Sequence, residues 1–227
     1  MKSIIKMQRI SAIEKRGIAV RNFKWAIMIA LYVLCTGTAF GQMKIKVGAT
    51  AGFNFATLIV DEEVWDLKAG FRGGAIADLG LNKYFSIVPE LIFSQKGWKK
   101  FGEGEYEGIT QIGTVNYVEM PVNFAVKFKL GGDIRLTLLP GLYAGYAISG
   151  KTKLSEKGVG TQTEKIPIGK GFDDYNPLDI GLNLGLGLEI NSIIIRFQYH
   201  AGLKNASNDP GYTSTTGTVS MGVGYLF

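Results

Sequence analysis

Residues Leu178–Ile190 read LDIGLNLGLGLEI, and this stretch decides the fold. Every even position carries Leu or Ile, whereas the odd positions carry Asp, Gly, Asn or Glu. A period of two predicts a β-strand, because successive side chains point to opposite faces. The apolar face is continuous for the whole stretch, which is long for a strand of a water-soluble sandwich. One apolar and one polar face predict a barrel strand with lipid outside and a polar lumen inside.

The same alternation recurs along the chain and predicts eight strands. They are residues 44–55, 68–80, 85–96, 116–130, 134–148, 178–190, 193–204 and 217–227. Short turns at 81–83, 131–133 and 191–192 alternate with long polar loops at 58–67, 97–114, 150–177 and 205–216. This alternation is typical of an antiparallel up-and-down transmembrane β-barrel with short periplasmic turns and long outer loops. The fold class is therefore all-β, with one barrel domain over residues 42–227.

Residues 1–41 are predicted to be a cleavable signal segment. They hold seven basic residues and one acidic residue, followed by the apolar stretch WAIMIALYVLC at 25–35. That stretch is shorter than the about 20 residues that a transmembrane helix needs, and Ala39-Phe40-Gly41 places small residues before a cleavage site after Gly41. Residues 42–227 carry equal numbers of basic and acidic groups. The basic character therefore belongs to the signal, and we expect no nucleic-acid partner.

Aromatic residues fall at both ends of the predicted strands, as in the interfacial girdles of outer-membrane barrels. At the C-terminus, Tyr225 and Phe227 share the outward face of the last strand. We expect this strand to pair with the first, because an open edge in lipid leaves backbone groups unpaired. A terminal aromatic strand also resembles the signal that barrel-assembly machinery reads, which predicts that machinery as a partner.

Three motifs resemble a known family. They are the segments 86–97 (SIVPELIFSQKG), 116–122 (NYVEMPV) and 48–56 (GATAGFNFA). They are similar to the "PELxxSQKG", "NYLEIPV" and "GxKxGxNFS" strands of the Bacteroidetes outer-membrane β-barrel family that includes PorT-like proteins. The resemblance implies an eight-stranded outer-membrane barrel, and a few members of the family are implicated in protein secretion or envelope biogenesis.

Charged residues on the inward faces predict a network inside the barrel, since an eight-stranded barrel is only wide enough for side chains to fill. Its predicted members are Arg72, Glu90, Lys96, Glu119, Arg135, Glu189, Arg196 and His200, with Asp78, Lys127, Asp179 and Lys204 also inward. We expect Glu90 and Glu119 to pair with Arg72, Lys96, Arg135 or Arg196, because buried charges require partners. The favoured interpretation is a plug, and the alternative is a narrow ion or proton path.

The sequence offers little support for catalysis. His200 is the single histidine, which favours a hydrogen-bonding filler over a catalytic base, and we expect no enzyme, no cofactor and no metal. The acidic run Asp61-Glu62-Glu63 with Asp66 could bind a divalent cation, although a solvated loop is favoured. Outer lysines could meet lipid phosphates as point charges. These candidates are Lys96, Lys99, Lys100, Lys151 and Lys153.

Three functional hypotheses follow for a chain placed in the outer membrane. The first is a structural or interaction barrel that acts through its loops. The second is a component of secretion or envelope biogenesis, or a narrow solute channel, with an envelope or secretion protein as a partner. The third is a soluble ligand-binding barrel, which the polar inward faces disfavour.

Overall fold

The computed structural model describes residues 44–102, 107–156, 158–169, 171, 174–209, 211 and 213–227. The predicted signal segment at 1–41 lies outside these residues. Ten strands lie within them. They are β1 (Lys44–Val60), β2 (Glu63–Val64), β3 (Asp66–Gly80), β4 (Phe85–Phe101), β5 (Ile109–Gly131), β6 (Ile134–Glu156), β7 (Gly160–Lys165), β8 (Leu178–Ile190), β9 (Ile193–Gly202) and β10 (Ser214–Leu226).

Eight of these strands close into a ring. The order is β1-β3-β4-β5-β6-β8-β9-β10, every neighbouring pair is antiparallel, and β10 returns to β1. The closing register runs from Gly48 opposite Leu226 to Val60 opposite Ser214. The prediction of an eight-stranded up-and-down barrel closed between its first and last strands is confirmed. No helix in the described ranges is long and apolar enough to cross a membrane.

The two faces of each strand differ as the alternation predicts. On β8, Leu182, Leu184 and Leu186 are about half exposed, whereas Asp179 and Asn183 are buried. The other long strands repeat this pattern, so apolar side chains cover the outside and polar side chains face the lumen. A barrel that is apolar outside and polar inside fits lipid rather than water. This sidedness argues against the soluble ligand-binding barrel.

The predicted loops were too long at the outer end of the barrel. We expected a strand to end at Lys96 and the next to begin at Asn116, but β4 continues to Phe101 and β5 begins at Ile109. Strand β6 likewise continues to Glu156 and pairs with β7. The sequence beyond the apolar band no longer alternates between apolar and polar residues, whereas backbone pairing continues without that alternation. At the last outer connection the errors are small: β9 ends at Gly202, two residues before Lys204, and β10 begins at Ser214.

The first outer connection is a tight hairpin rather than a long loop. Asp61 and Glu62 both have positive φ angles, 47° and 73°. Positive φ at both central residues is what a type I′ hairpin turn requires. The acidic run therefore forms the turn between β1 and the short strand β2.

Candidate functional site

The inward charges form three groups along the barrel. Strands β3, β4, β5, β6, β8 and β9 each contribute at least one charged side chain, because alternate residues on these strands face the lumen. Each side chain predicted for the network is buried except that of Arg135, which is 41% exposed at the end with short turns. We describe the groups as the middle, upper and lower clusters.

The middle cluster has one carboxylate between two cations. Glu90 Oε1 lies 2.6 Å from Arg196 Nη1, and Glu90 Oε2 lies 3.6 Å from Arg72 Nη2. Asn123 also donates to Glu90 at 3.2 Å. Arg72 donates to the hydroxyl of Ser220 at 2.7 Å, so its guanidinium has a second partner. Glu90 is the sole anion within 4 Å of either arginine in the described residues. The middle cluster therefore has one more positive charge than negative charges, and without Glu90 both arginines would lack an anion.

The upper cluster has the opposite charge imbalance. Lys96 Nζ lies 2.5 Å from Glu119 Oε1 and 3.0 Å from Asp179 Oδ2. Tyr143 donates to Asp179 at 3.1 Å, and Thr216 lies within hydrogen-bonding distance of the same carboxylate. Two buried carboxylates thus share one lysine, and the hydroxyl groups of Tyr143 and Thr216 also stabilise the Asp179 carboxylate.

The lower cluster is balanced. Lys127 pairs with Asp78 and, at 3.1 Å, with Glu189, and Arg135 reaches Glu189 at 3.4 Å. Lys204 does not join any of these clusters, because it lies beyond the end of β9. Across the three clusters the described lumen holds five basic and five acidic side chains, so their charges cancel.

An apolar cluster also crosses the lumen, and sequence reasoning missed it. Six buried side chains form it, and each is at most 2% exposed. They are Ile76, Val88, Ala125, Leu139, Ile194 and Leu226. Each lies on the inward face toward the short turns, where the alternation rule led us to expect polar residues. The sequence could have indicated this cluster, because Ile76 lies on the same strand face as Arg72 and Asp78, which are predicted to point inward.

Aromatic residues close the outer end of the lumen. Trp98 stacks on Tyr175 with ring centroids 6.1 Å apart, and Trp65 packs against Trp98 at 6.2 Å. The hydroxyls of Tyr117 and Tyr175 are 2.8 Å apart, and burial raises the pKa of Tyr175 to about 12. The Trp98 ring lies directly over Gly113, where a Cβ would clash with it. The cavity beside this aromatic cluster, about 10 Å³ lined by Lys96, Trp98 and Tyr175 among others, has room for about one water molecule.

His200 lies inside the middle cluster. Its Nε2 is 3.3 Å from Arg72 Nη1 and 3.2 Å from the Ser220 hydroxyl, and its ring packs edge-on against Tyr143. A catalytic triad needs a carboxylate on the other ring nitrogen. Nδ1 of His200 has no hydrogen-bond partner among the described residues. The contacts therefore suit a residue that fills space and links the middle to the upper cluster.

The acidic run at the first hairpin has protein partners. Asp61 accepts a hydrogen bond from the Thr213 amide at 3.0 Å, and Glu63 pairs with Lys100 at 3.3 Å. Within the described part of the chain, no group of three or more His, Cys, Asp or Glu residues is arranged to hold a metal ion.

The C-terminal aromatics lie where the sequence places them. Tyr225 and Phe227 are 51% and 76% exposed on the outside of the barrel, with their rings 5.4 Å apart. The Phe227 amide donates to Val47 at 2.7 Å, so the last residue is held against the first strand.

Similar folds occur in solved outer-membrane proteins. Ail, the attachment invasion locus protein of Yersinia pestis, is 18% identical, with 82% of this chain and 100% of Ail covered and a TM-score of 0.41. Neisserial surface protein A is 12% identical, with 80% and 97% covered and a TM-score of 0.45. A major outer membrane protein of Thermus thermophilus is 12% identical, with 81% and 99% covered and a TM-score of 0.41. At these identities and TM-scores, the likenesses say nothing about ligands or partners.

The family is shown by the sequence itself. No curated protein matches the chain significantly. Residues 40–208 match the family described as "Outer membrane protein beta-barrel domain", which is well over half of the chain. The match agrees with the closed ring of strands and the apolar outer face, and it confirms the predicted location in the outer membrane. The chain belongs to the outer membrane protein beta-barrel domain family.

Proposed function

We propose that this protein is a closed, non-enzymatic barrel that anchors a rigid outer extension in the outer membrane and acts by binding an envelope or secretion protein there. The observation that carries the proposal is the filling of the lumen. Three ion-paired clusters and a layer of six buried apolar side chains occupy it. The resemblance to PorT-like Bacteroidetes barrels favours a partner in secretion or envelope biogenesis, and that assignment is part of the proposal.

The filled lumen argues against the solute channel. A conducting path needs a continuous file of water, whereas Val88, Ala125 and Leu139 have no exposed surface at all. A packed apolar layer offers water no hydrogen-bond partners. We therefore expect no discrete conductance when the folded barrel is inserted into planar bilayers in concentrated KCl. A steady unitary conductance would overturn the closed barrel.

The outer extension is the surface left for recognition. Strands β4, β5 and β6 continue past the apolar band as paired strands, so the extension has a defined backbone rather than loose loops. Apolar side chains lie exposed on it, including Phe101 and Val159 at 55% and 74% exposure. In water such side chains are candidates for a protein contact.

Photo-crosslinking in intact cells tests the interaction. A photoreactive residue at Phe101 or Val159 should yield one adduct of discrete mass with another protein. The matched control is Leu184, which is equally exposed but faces lipid at mid-strand, and it should yield lipid adducts only. Protein adducts from Leu184 alone, or none from the outer sites, would contradict an outward-facing binding role.

A further inference from the structure

The outer edge of the lipid-facing band can be located on β5. Alternate outward residues from Leu130 to Val118 are all apolar, and the next outward residue is Asn116. Twelve residue steps of about 3.3 Å, tilted about 45°, span roughly 28 Å along the barrel axis. An outer-membrane barrel has an apolar band of roughly 25 Å. Asn116 therefore marks the level where hydrocarbon gives way to lipid headgroups.

A polar row runs across three strands at this level. Gln95 donates to Asn116 at 3.1 Å, and Asn116 donates to Ser149 at 2.9 Å. One rung toward the membrane centre, Phe93, Val118 and Tyr146 are register partners. The outer surface thus changes from aromatic and apolar side chains in one row to amide and hydroxyl groups in the next. This change marks the outer edge of the hydrocarbon region.

Three lysines lie together just beyond this row. Lys151 is aligned with Gly97 through Thr114, and Lys99 lies two residues farther out on β4. The Lys68 chain crosses the bare backbone of Gly97, where a Cβ would come within 2.7 Å of Lys68 Cδ. Burial, and after it the charges of Lys151 and Lys99, lowers the pKa of the Lys68 ammonium. We call these three residues the lysine cluster.

The lysine cluster lacks a neutralising partner. In the described ranges, no carboxylate lies within 4 Å of its ammonium groups, and Lys68 donates only to the Ala69 carbonyl at 3.2 Å. Asp66 is the one acidic residue in register with it, opposite Lys99. Lys165 lies opposite Lys151 and adds to the positive charge.

Two of the other lysines that the sequence suggested for lipid phosphates, Lys96 and Lys100, are excluded by their partners. Lys96 is inside the lumen between Glu119 and Asp179. Lys100 pairs with Glu63 and lies over the ring of Trp65. The lysine cluster differs from both because its charge has no such partner.

We propose that Lys68, Lys99 and Lys151 bind a phosphate group of the outer-leaflet lipid. Lys99 and Lys151 lie on the outward face at headgroup level, where the membrane's own lipid is the adjacent molecule. Lys68 is buried and lies across Gly97 beside them. Ammonium groups bind phosphate as point charges, and several together compensate a doubly charged group. Because Gly97 has no side chain, the Lys68 side chain has room to lie across β4. The lysine cluster therefore depends on glycine at position 97.

Lipid binding measured by native mass spectrometry in a neutral detergent tests the site. Diphosphoryl lipid A should bind the folded barrel more tightly than phosphatidylcholine. Each lysine near a charged lipid surface contributes about fivefold to binding. The triple variant Lys68→Gln/Lys99→Gln/Lys151→Gln should therefore bind diphosphoryl lipid A roughly 100-fold more weakly.

A charge-matched control removes three exposed lysines at the opposite end of the barrel. Lys44→Gln/Lys83→Gln/Lys129→Gln should bind within twofold of the unaltered protein. Because Lys68 is buried and its loss could impair folding, the exposed Lys151→Glu single variant is measured as well, with heat-dependent gel mobility as the check on folding. It should weaken binding at least fivefold.

Two results would overturn the site. One is equal binding by the triple variant and the control variant. The other is displacement of the lipid by a tenfold excess of inorganic phosphate, which would assign the cluster to free phosphate instead. Unchanged lipid binding in the presence of inorganic phosphate supports the lipid.

Discussion

Glu90 should be the most sensitive carboxylate in the lumen. At an effective dielectric constant of about 20, its attraction to Arg196 at 2.6 Å and Arg72 at 3.6 Å amounts to roughly 6 and 5 kcal/mol before desolvation is counted. Desolvation of the three groups offsets much of this. Glu90→Gln removes the attraction but leaves two buried guanidinium groups without an anion. We expect a loss of about 3–5 kcal/mol in the free energy of unfolding.

Glu119 provides the matched comparison. From sequence alone the two carboxylates look equivalent, because both face the lumen and both are expected to pair with a cation. In the structure Lys96 keeps Asp179 at 3.0 Å when Glu119 is neutralised, and the upper cluster becomes balanced. Glu119→Gln should therefore cost no more than about 2 kcal/mol, the value of one charge-assisted hydrogen bond.

Urea unfolding of barrels refolded in lipid vesicles measures both effects. Trp65 and Trp98 lie in the aromatic cluster at the outer end and report unfolding by fluorescence. Glu63→Gln is the exposed control, since its pair with Lys100 is largely solvated and should contribute at most about 1 kcal/mol. Adding Arg196→Met to Glu90→Gln should recover part of the loss. Equal costs at Glu90 and Glu119, or no recovery in the double variant, would refute the charge-imbalance argument.

Two further predictions concern the outside of the barrel. Leu184→Arg places a charge at mid-strand in lipid and should cost about 2–4 kcal/mol in vesicle unfolding, whereas Val159→Arg on the outer extension should change stability by less than about 0.5 kcal/mol. Similar costs at both positions would mean that β8 does not face lipid. Tyr225→Ser/Phe227→Ser should reduce the heat-modifiable, membrane-inserted fraction in cells through loss of the assembly signal. Tyr146→Ser, an equally exposed aromatic at the opposite interface, should leave assembly near normal; a comparable defect there would show that any girdle aromatic matters equally.

The sequence predicts the strands and their faces well because both depend on a local period. The face of Glu90 follows from counting along β4. The partner of Glu90 cannot be found by the same count, because Arg196 lies on β9 across the lumen. The alternation shows which face a residue lies on, but it does not show the stagger between strands that brings two residues together. The outer strand ends were missed for a related reason. Beyond Asn116 the outside of the barrel faces lipid headgroups and then water, so apolar residues are no longer required at alternate positions, whereas backbone pairing persists.

The ion pairs of the lumen have a further consequence for strand register. Buried ion pairs contribute little net stability compared with apolar packing, yet the described strands place ten charged groups in the lumen, nine of them buried. A shift of β9 by one residue would turn Arg196 toward lipid and Phe197 toward the lumen, because side chains alternate. The shift would expose a charge to the bilayer at about 2–4 kcal/mol and would also leave Glu90 without its closest cation. Closure of the barrel in the wrong register is therefore destabilised by two effects, the arginine exposed to lipid and the unpaired carboxylate. In a barrel with glycines at many lumen positions, where small side chains discriminate weakly between registers, that penalty gives the charges a role in specifying the fold.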